Sequence, residues 1–420
     1  MKQMQVDIAV IGGGPAGLAA AIEARRQGVQ NVLIIERDRC LGGILQQCIH
    51  DGFGLHRFQK RMSGSQYAQK FIDEVIAEKI PALLDTMVLE ITPERTIFAS
   101  NAQDGVLEIR CGAIILAMGC RERTRNQVFI YGTRPSGVLT AGAVQRYINI
   151  SGYLPGKRAV ILGSGDIGLI MARRMTLEGM EVEGVYEVMS TPGGLTRNIV
   201  QCLDDYDIPL HLSTTVVEVH GNERVEGVTV AKVTPDGIDQ STRRYIPCDL
   251  LVLAVGLIPE NELSQGAEIE MSPKTRGPVL DEHFMTSREG IFACGNVAVV
   301  FDLVDYVSQT GELAARGAVA YLRGELHPEE PMTDVIVGNN VQFVVPQRYH
   351  ASTLPGKLPL FMRVKKREER ATIVCRDGEK TLFRQTHPVV CPPEMLTAEV
   401  SLGDNRPVGP LTVGMEEKNA

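Results

Sequence analysis

Near the N-terminus the chain alternates unbroken apolar runs with glycine turns. Asp7-Ile8-Ala9-Val10-Ile11 is almost continuously apolar, the pattern of a strand buried on both faces of a parallel sheet. Gly12, Gly14 and Gly17 interrupt the run, and an alanine-rich segment of high helix propensity follows. Gly28 stops that helix, and Val32-Leu33-Ile34-Ile35 predicts a second strand ending at Glu36. The same order returns downstream: strand Ala159-Val160-Ile161-Leu162, then Gly163, Gly165 and Gly168, a helix, and a strand that ends at Glu187. Two more apolar strands, within 110–120 and 249–261, run into Ala117-Met118-Gly119 and Ala254-Val255-Gly256. Ile291-Phe292-Ala293 leads into Gly295-Asn296 and an amphipathic helix bearing Leu303, Val307, Leu313 and Ala314. From about residue 330 apolar and polar residues alternate between Pro, Gly and Asp-Gly signals, which predicts hairpins of a small antiparallel region. Within it MRVKKREER (362–370) reads as a charged edge strand and GMEEKNA (414–420) as a flexible tail.

The glycine spacing carries a mechanism. The first glycine allows the sharp turn, the second lets the backbone approach a pyrophosphate, and the third lets the helix pack on the strand. Pro15 and Ala16 open the first helix; Asp166 and Ile167 open the second, and each helix start offers N–H groups to phosphate. Glu36 lies 24 residues after Gly12 and Glu187 lies 24 after Gly163. A G-x-G-x-x-G pattern alone is weak, but two copies in one context predict two dinucleotide-binding units. A carboxylate at Glu187 repels a 2′-phosphate and pairs with free ribose hydroxyls, so the second unit is expected to prefer NAD(H) over NADP(H).

Composition narrows the class. The 420 residues, 44% hydrophobic and 22% charged, suit two or three globular domains. A formal charge of −8 argues against a nucleic-acid surface. No apolar run reaches the roughly 18 residues of a membrane span. MKQMQVDIAVIGGG reads as a first strand rather than a signal peptide. Nine cysteines at irregular spacing fit reduced thiols, and a cytoplasmic location is expected. No C-x-x-C occurs, so no zinc or iron–sulfur site is expected.

These motifs resemble the two-dinucleotide-binding-domain flavoproteins of the pyridine nucleotide–disulfide oxidoreductase superfamily. The resemblance implies an α/β fold with two Rossmann-like domains, the NAD domain inserted in the FAD domain, and here a β-rich C-terminal addition. The expected layout is 1–122 and 286–330 for FAD, 123–285 for NAD, and 331–420 for the small β-rich domain. FAD would then meet Gly12, Gly14, Pro15, Ala16, Gly17, Glu36, Arg37, Gly43, Val88, Ala117, Gly119, Gly295 and Asn296. NAD would meet Gly163, Gly165, Asp166, Ile167, Gly168, Glu187 and Gly256. Asn296 stands where the superfamily carries Asp; its amide keeps a hydrogen bond to the flavin ribitol but brings no charge. GGILQQCIHDGFGLHRF, LAMGCRERTR, GTRPSGVLTAGAVQ and GGLTRNIVQCLDD also resemble the FAD/NAD oxidoreductase subunit found with anaerobic-type glycerol-3-phosphate dehydrogenases. They are similar as well to alpha subunits of opine, proline and cyanide-forming amino-acid dehydrogenases. This implies hydride exchange between NAD(H) and FAD within a complex, beside a partner dehydrogenase or flavoprotein subunit, with self-association left open.

The dithiols of the superfamily's disulfide reductases are missing. Around Cys40 and Cys48 there is no C-x-x-x-x-C, and INISGYLPGKRA has no cysteine. Cys48, with His50 as a flavin-side acid or base, is the candidate for a single-thiol NADH oxidase or peroxidase. Against this stands Cys48 as a small apolar filler. A third reading is a non-catalytic subunit whose nucleotides only organise a complex. His387 and Cys391 in THPVVCPPE read as structural.

Overall fold

A computed structural model describes residues 1–402, 406–407 and 409–416. Two compact units emerge: Met1–Gln46 with Asp51–Cys120 and Pro259–Ala420, and Gln47–His50 with Arg121–Ile258.

In the first unit strand Lys2–Ile11 lies between Val32–Ile35 and Gly105–Leu116, all parallel. Ile8, Ala9 and Val10 are fully buried, as the unbroken apolar run requires. Gly105–Leu116 is long enough to serve two partners. Its N-terminal half pairs antiparallel with Thr96–Asn101, and its C-terminal half pairs parallel with Ile291–Ala293. Helix Pro15–Arg26 crosses helix Val304–Leu322 at small residues, where a Cβ on Gly311 would stand 2.2 Å from the Ala16 carbonyl oxygen. That closeness seats the long helix against the first glycine turn.

The second unit repeats the plan. Five parallel strands run in the order Val138–Thr140, Leu250–Leu253, Arg158–Leu162, Glu181–Tyr186, Leu210–His211, and helix Asp166–Leu177 packs its Leu169, Met171, Ala172 and Met175 into their core. A four-stranded sheet built largely on Thr214–His220, Gly227–Thr234 and Gly237–Pro247 completes it.

The expected domain boundary at 285 falls instead at Ile258. Residues beyond it pack on the first unit: Ala267, Ile269, Leu280 and Phe284 are buried in that unit's core. Apolar composition alone does not reveal which core they join.

The C-terminal region is β-rich, in two sheets around a core of its own. Its Phe361 packs edge-on against Phe284, Phe301 and Tyr306 of the first unit. A buried polar cluster reinforces the contact. His350 Nδ1 lies 3.5 Å from Glu282 and 3.8 Å from Asp281, and the His350 backbone N–H donates to Glu282 (3.0 Å). A hydrogen bond to Glu282 holds the imidazole toward its charged form, while burial and the neighbouring Glu282 push Asp281 up. These three residues bring potential ligand atoms within 4.8 Å of one another; His350 pairs with Glu282, and Asp281 beside them is held toward its neutral form.

One expectation for this region is overturned. The charged run MRVKKREER is not an edge strand. Its ends belong to Lys357–Val364, central in a three-stranded sheet, and Glu368–Asp377, flanked on both sides; Lys365–Arg367 turn between them. The charges solvate a corner. Of the expected tail, Gly414 and Met415 end the strand Leu411–Met415, and 417–420 lie outside the described residues. No helix among the described residues is long and apolar enough to cross a membrane.

Candidate functional site

The two glycine turns are built alike. Gly12 has φ +106°, and a Cβ there would lie 2.4 Å from the Ala117 carbonyl oxygen. Gly163 has φ +103°, and its Cβ would lie 2.2 Å from the Ala254 carbonyl oxygen. Both positions demand glycine, for conformation and for space. Hydrogen bonds fix each turn to its neighbours: Gly12 N–H to Ile35 and Ala117 N–H to Ile11 (both 2.8 Å), Gly163 N–H to Tyr186 and Ala254 N–H to Leu162 (both 2.7 Å). The middle glycines differ in kind. A Cβ on Gly14 or on Gly165 would meet nothing within 4 Å, so each faces open space. Both cap the following helix without a side-chain hydrogen bond, which leaves helix N–H groups for an anion.

Each acid closes back on its turn. Glu36, buried at the end of Val32–Ile35, accepts from Gly13 N–H (2.6 Å) and Asp38 N–H (2.8 Å). Glu187, buried at the end of Glu181–Tyr186, accepts from Ser164 N–H (2.9 Å), Ser164 Oγ–H (2.6 Å) and Met189 N–H (2.9 Å). A carboxylate holds about four acceptor positions, so each keeps capacity for ribose hydroxyls. Open space at the middle glycine, a helix start with no side-chain cap and a buried carboxylate at strand end fit a dinucleotide at both turns.

Most of the first-turn residues named from sequence come together. Gly43 lies against Gly14, where its Cβ would be 3.1 Å from the Gly14 Cα. Gly295 lies against Ala16 and donates to Thr310 Oγ1 (2.9 Å). Asn296 accepts from Phe301 N–H (3.0 Å) and donates to Cys120 Sγ (3.5 Å). Val88 is buried on strand Met87–Ile91, and the adjoining Thr86 N–H donates to the Glu36 carbonyl (2.9 Å). Gly119 accepts from Glu260 N–H (3.0 Å), and Arg37 pairs with the Glu260 carboxylate at 2.9 Å. Arg37 is thus engaged by a carboxylate. In the second unit Ile167 packs against the core and Gly256 accepts from Arg123 N–H (3.0 Å).

Cys48 sits in a buried amide cluster. Gln47 Nε2 donates to Gly142 O (2.8 Å) and Gln145 Oε1 (3.0 Å), and the Cys48 thiol lies 3.8 Å from Gln145 Oε1. Burial pushes that thiol up to about 12, so it stays protonated near neutrality. A nucleophilic cysteine needs the opposite environment. His50 is half-buried beside it. Gln145, 1% exposed, is invisible to sequence reasoning, because its partners lie about a hundred residues away. Ser164 does not stand out in the sequence either, although its place between the glycines, opposite Gly13 of the first copy, marks it.

A family model described as pyridine nucleotide-disulphide oxidoreductase matches residues 6–316. The chain belongs to this family. Members bind FAD and NAD(P), and the chain is of oxidoreductase type. Among curated proteins it is 27% identical over 286 residues to hydrogen cyanide synthase subunit HcnB of Pseudomonas protegens, covering 64% of this chain and 60% of that one. It is 25% identical over 336 residues to an opine oxidase subunit of Agrobacterium tumefaciens, covering 76% and 66%. The chain thus spans about 60% and 66% of the length of these two relatives, both named as subunits. The crystal structure of T. acidophilum thioredoxin reductase aligns with TM-score 0.62 at 22% identity, over 75% of this chain and 98% of that one. That likeness shows the two-domain α/β fold.

Proposed function

We propose that the first turn holds FAD, that the second takes NAD(H) in preference to NADP(H), and that the chain exchanges a hydride between them. It works in the cytoplasm within a dehydrogenase complex, beside a partner that oxidises glycerol 3-phosphate or an amino acid. The observation that carries this reading is the duplicated carboxylate, Glu36 on Gly13 and Glu187 on Ser164, each beside an open glycine and a helix start with no side-chain cap. The names of the curated relatives, both of them subunits, support a partner, and the glycerol 3-phosphate assignment rests on the sequence resemblance.

Bound FAD supplies the hydride-accepting chemistry. The residues of the chain bind and orient. Gly12 and Gly163 set the turns, Gly14 and Gly165 leave room for pyrophosphates, and Glu36 and Glu187 receive ribose hydroxyls. Glu187, already buried among three donors, disfavours a second anionic group at the ribose, which supports NAD(H).

A dithiol plays no part in this reading. The sequence has no C-x-x-C, and the protonated Cys48 does not favour the oxidase or peroxidase route. Rapid anaerobic mixing of the purified protein with NADH tests the proposal: the visible flavin absorbance should bleach. A colourless protein would instead support the non-catalytic reading.

A further inference from the structure

The internal repeat extends beyond the acids. Gly42-Gly43 follows Glu36 at the same spacing at which Gly193-Gly194 follows Glu187. In both units this glycine pair returns to the dinucleotide turn. Gly42 N–H donates to the Gly13 carbonyl (2.8 Å), and Gly43 lies against Gly14. Gly193 N–H donates to Ser164 Oγ (2.8 Å), and a Cβ on Gly193 would be 3.6 Å from Gly165 N.

The anchoring differs. The first return is tied backbone to backbone. The second is tied by side chains: Ser164 Oγ bridges Glu187 and Gly193, while Asp166 Oδ1 accepts from Leu195 N–H (2.9 Å) and Asn198 Nδ2 (2.7 Å). A Cβ on Gly194 would lie 2.9 Å from Asp166 Oδ1 and 2.7 Å from Leu169 Cδ1, so the strap lies flush on the start of helix Asp166–Leu177.

Resting on the reading of the second turn as a dinucleotide site, we propose that residues 193–198 are a strap that clamps the pyrophosphate there, with Ser164 and Asp166 as its positioning residues. Although Gly193 lies against Gly165, a Cβ on Gly165 would still meet nothing within 4 Å, so the strap borders the open space at this turn without filling it. Hydrogen bonds through side chains can be exchanged as a ligand enters and leaves, which suits a nucleotide that turns over. A backbone-locked return suits a resident one. Asp166 matters because its one oxygen gathers two strap donors that would otherwise drift from the turn.

ADP-ribose is the probe, since it carries the pyrophosphate and has no nicotinamide to react. Calorimetric titration of the flavin-loaded protein should give a Kd for Asp166→Ala raised about tenfold, as loss of two ordinary hydrogen bonds to the strap implies; Gly194→Ala, whose Cβ would press on Asp166 Oδ1 and Leu169 Cδ1, should raise it in the same direction. Asp166→Asn keeps the acceptor oxygen and should stay near wild type, with flavin content equal in all four proteins. Hydrogen exchange should show 190–198 protected by ADP-ribose in the wild type and not in Asp166→Ala. Unchanged affinities, tighter binding, or wild-type amides that ADP-ribose does not protect would overturn the strap. Failure of the wild type to bind ADP-ribose would overturn the second dinucleotide site as well, which separates the two readings.

Discussion

The two glycine turns share a skeleton and differ in how they are finished. At the first, the turn residues themselves carry no side-chain oxygen: Gly13 under Glu36, Pro15 at the helix start, Gly43 against Gly14. At the second, Ser164 and Asp166 put side-chain oxygens where the first has none. The first unit also gains the long helix Val304–Leu322 at its turn and the C-terminal sheets on its core. On the proposed assignment, one skeleton would serve a site that keeps its ligand and a site that exchanges it. Charge is not what separates them, since both end on a buried carboxylate.

The harshest way to separate the turns is to add one methyl group. Gly12→Ala forces a Cβ into the Ala117 carbonyl at a positive φ, and Gly163→Ala does the same against Ala254. Each should cost at least about 1–3 kcal/mol of local strain. Gly12→Ala should abolish flavin retention and lower the unfolding midpoint, whereas Gly163→Ala should keep its flavin and lose NADH binding. Equal loss of flavin in both would break the assignment of turns.

Replacing the acids comes next. Glu36→Ala strands the Gly13 and Asp38 N–H groups, and Glu187→Ala strands those of Ser164 and Met189. A stranded buried donor costs about 1–3 kcal/mol. Flavin content should fall in the first variant and NADH affinity in the second, read by absorbance and by fluorescence titration.

Alkaline pH should loosen the first unit and spare the second. His350 is raised by its hydrogen bond to Glu282, so its contribution is complete below its ordinary 6.5 and is lost as pH rises through the raised value. Asp281, pushed up to about 7 by burial and by Glu282, also loses stability as pH climbs from 3.8 through that value, because the fold favours its protonated form. Burial pushes Glu282 up, but the hydrogen bond from His350, the nearby His283 and Thr353 together lower it, and its contribution is lost only as pH falls below 4.5. Hydrogen exchange, corrected for intrinsic rates, should quicken in 341–364 between pH 6 and 9 while 158–177 holds. Parallel changes would remove the triad as a distinguishing feature.

The smallest effect is an asymmetric swap. Ser164→Gly makes the second turn resemble the first and removes hydroxyl bonds worth about 0.5–1.5 kcal/mol each. The reverse, Gly13→Ser, places a Cβ 2.5 Å from Leu41 Cδ2, and denaturant unfolding should show it as the more damaging.

Much of this is legible in the chain. The strands Asp7–Ile11 and Val32–Ile35, both glycine sets and both acids announce themselves because a dinucleotide turn is local: its parts lie within some thirty residues and each obeys a steric rule. What fails to show is long-range. The boundary at Ile258 depends on which core Ala267 and Phe284 join, and Lys365–Arg367 becomes a corner only once neighbouring strands take the pairing on either side. Cys48 looks reactive beside two glycines, but it is buried in a cluster with Gln145, far along the chain, and burial keeps its thiol protonated. The glycine pair after each acid is readable, yet its meaning emerges only with Gly193 seen on Ser164.

In the proposed function the first turn keeps a flavin and the second turn's nucleotide exchanges hydride with it. Anaerobic stopped-flow of wild type and Glu187→Ala, each first shown to hold equal flavin and to bleach with dithionite, tests it most directly. NADH should bleach the wild type rapidly and Glu187→Ala at least about tenfold more slowly at sub-saturating NADH, as loss of one charged hydrogen-bonding partner implies. Equal bleaching by both proteins, or no bleaching of the wild type, would contradict it.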